Sequence, residues 1–162
     1  GGQGKMIARV SMFGFGLALV TGVADQLSKT WALDNWFFPP RAMEVTPFLN
    51  MVAVWNSGVS FGLLADHSEM MPYILVVFAS AVSLSLAIWL TRAQTRLLAT
   101  GLGLVIGGAV GNIIDRIRFH AVVDFIDVHV AGYHWPAFNL ADSAITVGVA
   151  FLLLDSFVRR DD

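Results

Sequence analysis

Residues 70–90, MMPYILVVFASAVSLSLAIWL, carry no charged side chain. A helix rises 1.5 Å per residue, so about 20 apolar residues cross the hydrocarbon core of a bilayer. The stretch therefore reads as a membrane span. Pro72 falls in its first turn, where a missing N–H costs nothing. Three more segments qualify on either side of it. One runs from about Met6 to Ala24 and ends at Asp25; another runs from Leu97 to Ile114. The last runs from about Ala141 to Val158, interrupted near its far end by Asp155. Composition agrees: the 162 residues are 56% hydrophobic and 14% charged, where a soluble domain carries about 25% charge.

The expectation is an all-α integral membrane protein, a four-transmembrane-helix bundle forming a single membrane-embedded domain over residues 5–162. Gly1-Gly2-Gln3-Gly4 reads as a cloning scar. The first apolar stretch has no small-residue cleavage site behind it and reads as a retained helix. The net charge of −2 gives no argument for a nucleic-acid partner. The absence of cysteine excludes disulfides, thiolate catalysis and zinc–thiolate sites.

Basic residues set the orientation. Lys5, Arg9, Arg92, Arg96, Arg159 and Arg160 flank the spans at the end shared by both termini, six of the ten lysines and arginines. The positive-inside rule makes that end cytoplasmic. The outward end holds Lys29, Arg41, Arg116, Arg118 and most of the acids. Residues 31–69 are too polar to span. Trp31, Trp36, Phe37 and Phe38 read as an interfacial aromatic belt or helix, and Pro39-Pro40 ends any helix there. Val45, Val52 and Val54 between Glu44 and Trp55 predict short strands, followed by a turn at Asn56-Ser57-Gly58. Val122–Val130 has the same strand character. The expected architecture is thus a helix bundle under a small extracytoplasmic β-sheet.

Asp124 and Asp142 carry the chemistry. They flank the aromatic turn Gly132-Tyr133-His134-Trp135-Pro136, and a carboxylate at the edge of hydrocarbon is costly unless paired or used. If the strand and the last helix converge, the two carboxyls meet. Like charges at close range keep one proton between them near neutral pH, which supplies an acid and a base together. Asp142, near a helix start, feels a favourable dipole and is expected to be the more readily ionised member. The plainer reading makes Asp142 a helix cap and Asp124 a solvated strand residue, and Asp127 competes with Asp124 on spacing.

Gly103, Gly107 and Gly111, with Gly108 beside them, speak for close helix packing. Asp25 and Lys29 are four residues apart and can pair. Asn56 sits in a turn and can offer an amide to an extended peptide. Asn112, Asp115 and Arg116 close the third helix, and Asn112 lies inside the apolar run, where amides usually bond another helix or a ligand. Other chemistries fit worse. There is no His-Glu-x-x-His motif, and His120, His129 and His134 match no common metal-ligand spacing. A Ser-Lys pair from Ser28, Ser57 or Ser60 with Lys29 competes with the nearer Asp25. A proton-coupled carrier would need acids deeper in the spans, and a scaffold subunit would have no use for two acids and several amides on one face.

Five motifs in this order resemble the bacterial lipoprotein signal peptidases, or signal peptidase II: Asp25-Gln26-Leu27-Ser28-Lys29, Asn56-Ser57-Gly58-Val59-Ser60-Phe61, Gly111-Asn112-Ile113-Ile114-Asp115-Arg116, Val123-Asp124-Phe125 and Phe138-Asn139-Leu140-Ala141-Asp142-Ser143. The resemblance covers essentially the whole chain after residue 4. It implies an aspartic endopeptidase of the inner membrane with Asp124 and Asp142 as the catalytic dyad, and it demotes Asp127. It implies substrate-binding roles for Asn56, Asn112, Arg116 and Asn139, with Asp25, Lys29 and Asp115 as structural support. The implied substrate is a prolipoprotein carrying a diacylglyceryl cysteine, cut just before that cysteine, and the implied inhibitor is globomycin. No metal or organic cofactor is expected, and the chain is expected to act as a monomer among membrane lipids.

Overall fold

The computed structural model describes residues 1–58 and 69–161; Ser60 and the rest of the motif from Val59 onward lie outside them. Among the described residues, four long apolar helices carry a small four-stranded antiparallel sheet at one end. The helices are α1 (Gly2–Trp36), α2 (Met71–Leu90), α3 (Arg96–Phe119) and α4 (Leu140–Arg160). The strands β1 (Met43–Thr46), β2 (Leu49–Asn56), β3 (Val122–Val130) and β4 (Tyr133–His134) lie side by side in chain order.

The central helix is α3, which packs against each of the other three. Its glycines explain how. Gly103 and Gly107 face the α1 backbone at Gly14 and Ala18, while Gly101 and Gly108 face α4 at Gly148 and Ala141. The glycine stripe is thus two seams on two faces, and each brings a neighbouring backbone close. A methyl on Gly108 would stand 2.5 Å from the Ala141 carbonyl oxygen. Backbone cannot yield as a side-chain tip does, so Gly108→Ala is expected to cost about 1–3 kcal/mol, read as a lower midpoint of thermal unfolding in detergent.

At the end holding both termini, Ser11 Oγ donates to the Leu90 carbonyl at 2.9 Å and the Arg96 guanidinium stacks over Phe13. Asp155, which interrupts the last apolar run, is buried here. It accepts from Thr95 Oγ1 at 2.9 Å and pairs with Arg159 at 3.0 Å, while Thr95 also caps α3 by accepting from Leu98 N. The interrupting acid therefore locks the α2–α3 turn onto α4.

Helix one runs well past its expected end. Asp25 and Lys29 pair at 2.7 Å and neutralise each other inside the bundle, so they do not end the helix. At 1.5 Å per residue α1 is about 52 Å long and overshoots a hydrocarbon core of about 30 Å. It also begins at Gly2, so residues 2–4 belong to the helix. Among the described residues there is no separate interfacial helix: Trp31 to Trp36 form the last turns of α1. The aromatic belt divides accordingly. Trp31 and Phe38 are exposed, but Trp36 and Phe37 are buried with Ala32 against Val123 and Phe125 beneath the sheet. Edge-to-face rings continue this floor from Phe37 to Trp55 and from Trp55 to Phe119.

Strand β3 crosses the mouth of the bundle and is tied twice. On one side it pairs with β2, Val54 opposite Asp124 and Asn56 opposite Val122. On the other, Phe125 N and Ile126 N donate to the Phe138 carbonyl, and Phe138 N donates back to Ile126 O. That clip sets the residue after Phe138, Asn139, beside Asp124.

Candidate active site

Two short rules of local structure aim the carboxylates. In β3, alternate residues face opposite sides, so Val123 and Phe125 pack on the aromatic floor while Asp124 turns the other way. Asn56 lies diagonally across from Asp124 on the same face of the β2–β3 pair, and its Nδ2 donates to Asp124 Oδ2 at 3.0 Å. In α4, Asn139 and Asp142 form a capping box: Asp142 N donates to Asn139 Oδ1 at 2.9 Å, and Asn139 N donates to Asp142 Oδ2 at 3.2 Å. Such reciprocal bonds satisfy two of the free N–H groups at a helix start.

Asn139 joins the two acids. Its backbone and side-chain oxygen hold Asp142, and its Nδ2 donates to Asp124 Oδ1 at 2.8 Å. The same Nδ2 reaches Asn112 Oδ1 at 3.1 Å. Asn112 in turn donates from Nδ2 to Asp142 Oδ1 at 3.0 Å and accepts from Lys29 Nζ at 3.0 Å. Asp142 is therefore a cap, as the plainer reading had it, and also a neighbour of Asp124. Asp124 is not solvated but buried, 1% exposed. Burial, and after it the Asp142 carboxylate, push the Asp124 carboxyl up to about 7, against the Asn56 hydrogen bond, the Lys29 charge and the Asn139 hydrogen bond.

Asp127 is placed elsewhere. Three residues on from Asp124, it faces the opposite side of β3, where His134 Nδ1 meets its carboxylate at 2.9 Å and Asn50 donates to it. The histidines scatter. His129 stacks on His134 with ring centroids 4.8 Å apart, while His120 ends α3 in a left-handed conformation against Tyr73. Ser28 Oγ donates to the Asp25 carbonyl of its own helix, and Lys29 is buried in its ion pairs, so the Ser-Lys pairing with Ser28 is not formed.

Behind the two acids lies a second tier. Lys29 bonds Asp25 at 2.7 Å and Asp115 at 3.0 Å. Asp25 also accepts from Ala141 N in the first turn of α4, and Asp115 accepts from Val123 N in β3, each at 3.0 Å. These two bonds moor α4 and β3 to α1 and α3. Gln26, for which no role was read from the sequence, donates to Asp115 Oδ1 and to the Gly111 carbonyl at 3.0 Å. The only sequence signal for it was its place beside Asp25. Arg116 lies within electrostatic reach of Asp142, Asp124 and Asp115; its Nε is buried and has no partner among the described residues. A cavity of about 340 Å³ opens beside Asp142, lined by Trp135, Phe138, Ser143, Thr146 and Val147. A mostly apolar cavity with a carboxylate at its wall can hold an apolar chain next to a reacting carbonyl.

Comparison with known proteins gives the family. The family model for signal peptidase (SPase) II matches residues 17–158. A lipoprotein signal peptidase of Nitrobacter hamburgensis is 48% identical over 88% of this chain and 90% of its own length. One from Caulobacter vibrioides is 44% identical over 96% and 93%. A bacterial membrane enzyme solved by the in meso method at 1.9 Å superposes with a TM-score of 0.76 at 27% identity, covering 88% of this chain and 91% of that one. With the match spanning the helices, the sheet and both aspartates, this chain belongs to the signal peptidase II family of membrane peptidases.

Proposed function

We propose that the protein is a membrane aspartyl endopeptidase that removes the signal peptide from diacylglyceryl-modified prolipoproteins, cutting immediately before the lipidated cysteine. The observation that carries this reading is the Asn139 bridge, which holds two carboxyls side by side while one of them titrates near neutral pH. Water attacks the scissile carbonyl as Asp142 takes its proton. Asp124, holding the proton of the pair, donates it to the carbonyl oxygen. Collapse of the tetrahedral intermediate breaks the C–N bond, and a proton passes to the departing cysteine nitrogen. Asn56, Asn112 and Asn139 orient the carboxylates, and Arg116 offers an unused donor to a substrate carbonyl.

The substrate's signal helix and its two acyl chains hold the scissile bond at the bilayer surface, the depth of the helix ends around the site. The positive-inside rule, applied to the basic residues at the opposite end, supports a reading with both termini in the cytoplasm and the site at the outer face of the inner membrane. The protein works as a monomer without metal or cofactor. Globomycin, a cyclic peptide, occupies the dyad as an uncleaved mimic. A carrier function is disfavoured by the ion pairing of Asp25 and Asp115 with Lys29, which leaves no free acid among the described residues for a relay at their level.

The test is cleavage of a diacylglyceryl-modified prolipoprotein by the purified protein in lipid, with mass analysis of the products and with globomycin alongside. A cut elsewhere than before the cysteine, or globomycin-resistant cleavage, would contradict the reading. The pH profile adds a second check. Asp124 must carry a proton to act as the acid, so kcat should fall as pH rises through about 7. A rate that keeps rising to pH 9 would contradict its role as acid.

A further inference from the structure

Lys29 touches neither aspartate of the dyad, yet the hydrogen-bond directions around the dyad start from it. The side chain is 2% exposed. An ammonium carries three donors and no acceptor, and here all three are committed: to Asp25 at 2.7 Å, to Asp115 at 3.0 Å and to Asn112 Oδ1 at 3.0 Å. The two carboxylates are themselves held by Ala141 N and Val123 N, so the ammonium cannot turn. The atom of Asn112 that faces it must be the oxygen. The Asn112 amide group then faces Asp142 at 3.0 Å.

The second amide is set the same way from the other side. Asp142 N, a donor, fixes Asn139 Oδ1, and the Asn139 amide group is left for Asp124 Oδ1 and Asn112 Oδ1. If either amide were reversed, an oxygen would face a carboxylate. Both asparagines are buried, so such a repulsion is screened weakly. The two asparagines thus form a polarised link whose sense is dictated by a fixed cation at one end and a helix N-terminus at the other.

We propose that Lys29 is a positioning residue for the two-aspartate chemistry, fixing the Asn112 amide so that a donor, and never an acceptor, meets Asp142. The proposal rests on the aspartyl-protease reading above. Its electrostatic side follows from the neighbours. The charged and titratable groups around Lys29 and Asn112 are Asp25 on α1, Asp115 and Arg116 on α3, Asp124 on β3 and Asp142 on α4. Lys29 and Arg116 are the cations in that set. The Lys29 charge favours the ionised form of Asp124, opposing burial. Without it, ionisation of Asp124 needs a higher pH.

The test uses full-length protein in lipid and the lipidated prolipoprotein. Lys29→Met combined with Asp25→Asn removes one buried charge of each sign and leaves Asp115 its bonds from Val123 N and Gln26. The expected result is a folded protein with unchanged KM. Its kcat is lower by roughly 10- to 100-fold, the loss typical of removing a residue that orients another, and the fall of its pH–rate profile that reports Asp124 is displaced to higher pH. An unmoved profile overturns the proposal, with or without a fall in kcat, because lost packing alone produces no displacement. Asn112→Asp decides the matter if the double variant does not fold. It keeps a partner for Lys29 but presents oxygen to Asp142, so cleavage should be lost in a protein that is less stable but still folded. Wild-type cleavage by Asn112→Asp overturns the proposal. Failure of the dyad reading itself is seen separately, as retained cleavage in Asp124→Asn.

Discussion

Asp124→Asn is expected to lower kcat for prolipoprotein cleavage by at least about 10³-fold, while the melting temperature at pH 8 stays level or rises. The loss of rate follows from removing the proton that the scissile oxygen receives; general acid catalysis alone supplies about 10²–10⁴-fold, and an amide in this position also spoils the shared proton of the pair. The stability effect has the opposite sign. The Asp124 carboxyl titrates at about 7 in the folded protein and near 3.8 when free. It therefore binds its proton more tightly in the folded state. Its contribution to stability is full below pH 3.8 and is lost as pH rises through 7. By pH 8 the ionised, buried group costs the fold about 4 kcal/mol relative to an unshifted carboxyl. Asparagine carries no such cost and keeps one oxygen for Asn139 or Asn56. Thermal unfolding of both proteins at pH 5 and pH 8, beside the cleavage assay, checks the pair of expectations. A variant that is inactive but destabilised at pH 8 would mean that Asp124 is held for structure and not for chemistry.

Lys29→Met alone should be the most destabilising single change in the site. It leaves Asp25 and Asp115 buried at 0% and 1% exposure without their cation. Removing one partner of a buried ion pair costs about 3–5 kcal/mol, more than the pair itself contributes. The loss should reach function, because Asp25 and Asp115 moor Ala141 and Val123, the residues next to Asp142 and Asp124. Adding Asp25→Asn should recover part of the stability by neutralising the nearer uncompensated charge. Chemical denaturation in mixed micelles measures both. Full stability in Lys29→Met would show that the ammonium is dispensable to the fold.

The spans, the strands and the acids were legible along the chain because each depends on local pattern. Charge-free runs such as residues 70–90 can only be buried in lipid or protein, and β3 was bounded at Val122–Val130 by its composition. The end of α1 is not legible along the chain for a related reason. Asp25 and Lys29 look like a span's end when read one charge at a time, but they pair with each other and Lys29 also pairs with Asp115 across on α3, so the helix continues through them. Trp36 and Phe37 read as membrane anchors because aromatic rings serve interfaces and cores alike. Their burial was decided by the sheet lying on them.

The sequence by itself determined a four-span membrane protein and pointed to Asp124, Asp142 and a set of amides, because hydrophobic runs, capping signals and costly polar residues act over a few neighbouring positions. Only the tertiary structure decided which carboxyl is the partner and which way the amides point. Asp127 is three residues from Asp124, and spacing could not separate them, but the alternation of β3 and the clip at Phe138 bring Asn139 to one and not the other. The directions of Asn112 and Asn139 depend on a cation from α1 and on a helix start in α4, contributed by residues 83 and 3 positions away. The bond across 83 residues exists only once the helices have closed around it; the one across 3 is local to the start of α4, and needs the tertiary structure only to bring Asp124 to the amide it leaves free.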